Sequence, residues 1–130
     1  MTSTSLWGDL EAVEAIRTPT TILKEQAAAL SKATNGVLRG EVEVNQSGSG
    51  FELELSIIAP AMNEYEYKVA VVKHQLELYP ASVWSAGESH LRDKGITCQS
   101  EEALLTALGG ILGSNKVRTV IRTLISQSKS

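Results

Sequence analysis

The stretch VLRGEVEVNQSGSGFELELSIIA, residues 37–59, decides the fold. In its first part Leu38, Val42 and Val44 alternate with Arg39, Glu41 and Glu43. In its last part Phe51, Leu53, Leu55 and Ile57 alternate with Glu52, Glu54 and Ser56. Successive side chains of a strand point to opposite faces, so a period of two marks a strand with one buried and one wet face. The link Gln46-Ser47-Gly48-Ser49-Gly50 is polar and glycine-rich, as a flexible hairpin loop requires. Strands over 37–45 and 51–59 therefore form an antiparallel pair. Pro60 ends the second.

Downstream, residues 65–79 are long for one strand. Tyr65, Tyr67, Val69 and Val71 share one parity, whereas Val72, Leu76 and Leu78 share the other. A bulge near Val72-Lys73 would reconcile the two halves. A short fourth strand is expected around Ser82–Ser85, after the Tyr79-Pro80 turn. Residues 86–96 read as a polar loop, of a length that is often functional.

Helices flank the strands. Over 19–34, Thr18 is a good N-cap and Pro19 sits at the first helical position, where its missing N–H costs nothing. Leu23, Ala27 and Leu30 form one stripe, widened by Ile22, Ala29 and Ala33. Asn35-Gly36 stops the helix. Ala27, Ala28 and Ala29 are small enough for close approach by a neighbour, expected to be the sheet. An earlier short helix is expected over 5–16, with Leu6, Leu10 and Val13 on one face. Near the C-terminus Ser100 caps a helix containing Leu104, Leu105, Leu108, Ile111 and Leu112, which Gly109-Gly110 can end early. Ser114 caps the last helix, where Val117, Val120, Ile121, Leu124 and Ile125 make a wide core-facing stripe. The expected fold is α+β: a small antiparallel meander of three to four strands, with N-terminal and C-terminal helices packed on one face. A single domain over residues 1–130 fits this length.

Bulk properties narrow the function classes. Hydrophobic residues make up 42% and aromatics only 5%, so the core is aliphatic. Net charge is −3, which argues against a dedicated nucleic-acid binder or an anionic-membrane binder. The charge is uneven. Residues 1–66 carry ten acids and four bases, and residues 67–130 carry five acids and eight bases. No acid follows Glu102, whereas Lys116, Arg118, Arg122 and Lys129 do. Cys98 is the one cysteine, which excludes an internal disulfide and fits a reducing cytoplasm. The polar opening residues do not read as a signal segment, and no apolar run approaches a membrane span.

The acidic hairpin is the most distinctive feature. Any register that buries both apolar faces puts Glu41, Glu43, Glu52 and Glu54 on one surface. That surface is the candidate partner-binding face, and it calls for a partner with a basic surface. As a solvated face it would be relieved by the interleaved Arg39 and Lys68. A flat strand face is a poor cage for a divalent cation, and exposed glutamates lack the cleft and raised pKa of a glycosidase. Cys98, His74 and His90 carry no hydrolase or zinc signature. Gly87-Glu88-Ser89-His90 is not a nucleophile elbow, and Gly113-Ser114-Asn115-Lys116 lacks phosphate-loop spacing. No catalytic residue, metal or cofactor is expected, and a homo-oligomer is compatible with the pattern. Residues 114–122 loosely resemble the second helix of a helix-turn-helix, which makes nucleic-acid contact through the basic C-terminal helix the alternative. A small-ligand-binding domain is a third reading. The plan of a small acidic sheet-and-helix domain resembles bacterial immunity proteins, adaptors and secretion chaperones in architecture, and so implies a non-enzymatic protein-binding module.

Overall fold

A computed structural model of the chain describes residues 6–8, 10, 17–85 and 95–130. The helix expected over 5–16 and most of the loop expected over 86–96 lie outside the described residues, apart from 6–8, 10 and 95–96. The element order is α1 (Pro19–Ala33), β1 (Arg39–Ser47), β2 (Gly50–Ala59), a 3₁₀ turn (Pro60–Met62), β3 (Tyr65–His74), β4 (Ala81–Ser85), β5 (Ile96–Cys98), α2 (Glu101–Leu112) and α3 (Asn115–Ser128). The strands form one antiparallel sheet in chain order, β1-β2-β3-β4-β5. The α+β class and the meander are as expected, but the described residues form five strands rather than three to four. The additional strand, β5, is three residues long. That is too short to show an alternation, and its pairing with β4 alone defines it.

The helix starts are those read from the sequence. Thr18 Oγ1 accepts from the Thr21 amide at 3.1 Å, Ser100 Oγ from Ala103 at 3.2 Å and Ser114 Oγ from Val117 at 3.2 Å. Each bond satisfies one of the amides that a first helical turn leaves without a partner. α1 ends at Ala33, and Asn35 and Gly36 follow with φ of 52° and 81°. Gly109-Gly110 does not end α2, which runs on to Leu112. Leu104 and Leu108 anchor the helix in the core, and Ile111 and Leu112 pack against it.

The three helices among the described residues cover one face of the sheet. α1 lies on β1 and β2, α2 on β3, β4 and β5, and α3 on β2 and the 3₁₀ turn. The buried core runs from Ile22 and Leu23 of α1 through Leu53, Leu55, Val72 and Val83 of the sheet to Leu104 and Leu124. α1 sits very close to β1, because a Cβ built on Gly40 would lie 2.4 Å from Ala27 Cα. Of the three alanines, Ala27 therefore meets the sheet, whereas Ala28 and Ala29 are exposed.

The bulge in β3 falls elsewhere than expected. The register shifts between Leu55 and Ser56, which pair with Ala70 and Lys68, and this leaves Val69 as the extra residue. Both Val69 and Ala70 are buried, and the inward parity passes there from Tyr65 and Tyr67 to Val72 and His74. Val71 belongs to the outer face. Leu76 and Leu78 are not strand residues: Leu76 is 75% exposed and Leu78 takes a left-handed φ of 74° in the turn before β4.

Candidate functional site

Strand alternation and register build the face opposite the helices. β1 contributes Arg39, Glu41, Glu43 and Asn45, and β2 contributes Glu52 and Glu54. Beyond the bulge β3 adds Val71 and Lys73, and β4 adds Ser82 and Trp84. The hairpin loop is tighter than the sequence indicates, because Ser47 pairs with Gly50 and only Gly48-Ser49 turns. Glu43 lies directly across from Glu54, whereas Glu41 opposes Ser56 and Glu52 opposes Asn45. The four glutamates thus share one surface but form only one like-charge pair.

Their surroundings differ. Glu54 pairs with Lys68 at 3.4 Å and Glu52 with Lys73 at 3.9 Å. Glu41 accepts from Arg39 at 2.7 Å, and the same guanidinium donates to Glu64 at 3.0 Å. The Arg39 pKa rises as a result, through its bond to Glu41 first and to Glu64 second. Glu43 is exposed, and its contact is a weak 3.5 Å bond from the Asn45 amide. No cation among the described residues lies within ion-pair distance of it. Lys73 also sits 5.3 Å from the centre of the Trp84 ring.

The face is therefore graded. An acidic edge on β1 passes through the paired carboxylates of β2 to the cations of β3 and the aromatic Trp84 of β4. The interleaving of Arg39 and Lys68 is legible in the sequence. Lys73, Glu64 and Trp84 are members of this face that sequence reasoning missed. Lys73 lies on the same parity as Val71, a relation obscured by placing the bulge after rather than before Val71.

The other reactive groups do not assemble. His74 is buried beside Phe51, with ring centres 5.3 Å apart, and its Nδ1 lies 2.6 Å from the Gln75 carbonyl. It pairs with Ala81, which pairs with Cys98, so two strand spacings, roughly 9–10 Å, separate His74 from Cys98. Cys98 is buried, its Sγ 3.7 Å from the Ile96 carbonyl. Burial pushes its pKa up, the opposite of what an activated nucleophile needs. His90 lies outside the described residues. Among the described residues no three His, Cys, Asp or Glu side chains converge as metal ligands. None of the described helices is long and apolar enough to cross a membrane. No protein-family model, curated protein or solved structure matches the chain.

Proposed function

We propose that this chain is a non-enzymatic protein-binding module that offers its acidic sheet face to a partner with a basic surface. The observation that carries this reading is the placement of Glu43. It is exposed on the edge strand, opposite another carboxylate and without a cation within ion-pair distance among the described residues. Such a like-charge pair costs roughly 0.2–1 kcal/mol, and a partner's cation would relieve it. The half-exposed backbone of an edge strand adds hydrogen-bonding groups beside the charge. Complementary charge of this kind mainly accelerates encounter and selects partners. The single buried Cys98 supports a reducing, cytoplasmic setting. Immunity, adaptor and secretion-chaperone roles share this mode of action.

Glu54 is a poor site for charge reversal because it holds Lys68. The test variant is therefore Glu41→Gln combined with Glu43→Lys. Immobilised parent and variant are exposed to native lysate at low and high salt, and the association rate of the captured protein is then measured with each. A basic protein whose rate falls with salt and with the double substitution supports the reading. Equal rates in all four conditions overturn it and reduce the glutamates to a solubilising face.

A further inference from the structure

On the helical side of the sheet the described helices leave a gap between them. A cleft of about 240 Å³ lies between α1 and α3. Leu55 and Val69 line it from the sheet, Leu30 and Ala33 from α1, and Ile121 from α3. Gln26 and Ser56 are its polar members, and the rest of the lining is aliphatic or alanine. Ala29 and Ala33 are exposed, so the cleft opens to solvent past α1. Ile121 also borders a second, shallower hollow with Arg118, Arg122 and Ile125. Both arginines are exposed, one helical turn apart, and no carboxylate among the described residues lies within ion-pair distance of either.

We propose that this cleft binds a medium-chain aliphatic carboxylate, with its chain between α1 and α3 and its headgroup on Arg118 and Arg122. The lining selects an apolar chain, because polar groups entering it would lose water and find few partners. Two exposed guanidiniums beside that lining, without a carboxylate partner among the described residues, select an anionic head, which arginine binds with directed, charge-assisted hydrogen bonds. The cleft's size and aliphatic lining suit a single alkyl chain. An apolar cavity of about 150 Å³ already holds benzene, so this one has room for a chain a few carbons longer. Nucleic acid would engage the arginines but would not cover the exposed parts of Ile121 and Ile125, which pack against the core with their other sides.

Octanoate is the probe. The full chain is titrated with octanoate, acetate and octyltrimethylammonium while the methyl resonances of Val69, Ile121 and Leu55 and the melting temperature are followed. We expect octanoate to shift these methyls and raise the melting temperature, acetate to do neither, and the cationic amphiphile to bind at least tenfold more weakly. Arg118→Glu with Arg122→Glu should weaken octanoate at least tenfold. Ala33→Phe should block the cleft, and Ala29→Phe repeats that test should the first variant fail to fold. The proposal is overturned if octanoate leaves these methyls unmoved, binds the double arginine variant as well as the parent, or is matched by the cationic amphiphile. Displacement of octanoate by duplex DNA at equal charge concentration would reassign the arginines to phosphate and overturn it too.

Discussion

Gly40 shows how much a single residue can decide in this fold. Its lack of a Cβ lets α1 lie directly on β1, with Ala27 Cα where a side chain would otherwise begin. The obstructing atoms include backbone as well as a methyl group, so no rotamer change can make room. Gly40→Ala should therefore push α1 outward and cost about 1–3 kcal/mol, read as a shift in the denaturation midpoint. A midpoint within about 0.5 kcal/mol of the parent would mean that the helix rides higher than described. Cys98 has the opposite character, being small, buried and chemically quiet. Because burial raises its pKa, the folded state holds the thiol proton more tightly than the unfolded chain does. The sign follows: this contribution is fully present below the ordinary thiol pKa of about 8.5 and is lost as pH climbs through the raised value. Tyr79 acts in the same direction, raised chiefly by burial and next by Glu101. Stability should accordingly fall on the alkaline side, and Cys98→Ser should flatten the first part of that decline. Reaction of Cys98 with a thiol reagent should be slower in the folded protein than in the unfolded one at every pH, and a faster folded-state reaction would contradict the burial.

At the scale of elements, the three helices owe their boundaries to local chemistry and their stability to the sheet. α3 illustrates the division. Ser114 fixes its start, but its buried anchors are Val117 and Leu124, while Val120, Ile121 and Ile125 are only half-buried. The wide apolar stripe is thus only partly consumed by the core. Leu124→Asp should unfold the domain, because an unpaired buried carboxylate costs several kcal/mol against a total of roughly 5–15 kcal/mol. Ile125→Asp, one position further round the helix, should leave a cooperative transition with a smaller loss. Equal losses at the two positions, measured by chemical denaturation, would show that the stripe is buried across its full width. β5 is the reverse case, an element with no local signal. Ile96 is 52% exposed and Cys98 is buried, and three residues become a strand only because Ala81, Ser82 and Val83 present free edge groups to them.

For the whole molecule, the sheet separates two surfaces of different chemistry, a graded charged face and a helical layer with an apolar cleft. Glu43→Lys should raise stability by about 0.2–1 kcal/mol, since it replaces a like-charge pair opposite Glu54 with an attractive one. The gain should shrink as salt rises, because both groups are at least partly exposed. A loss of stability in urea denaturation would show that Glu43 already has a favourable partner. Much of this molecule is legible in the chain itself. The period-two pattern of 38–44 and 51–57, the caps at Thr18, Ser100 and Ser114, and the common surface of Glu41, Glu43, Glu52 and Glu54 all follow from local rules. Strand pleat, side-chain capping and face alternation act over a few residues, and no distant contact is needed to set them. The tertiary structure alone decided the rest. It placed the bulge at Val69, because only pairing with Leu55 and Ser56 shows where β3 carries one residue too many. It added β5, because a three-residue strand exists only through its neighbour. It neutralised Glu52 and Glu54 with Lys73 and Lys68, which approach across strands rather than along them. It also opened the cleft between α1 and α3, because the separation of two helices depends on how each packs on the sheet, and no stripe on either helix encodes it.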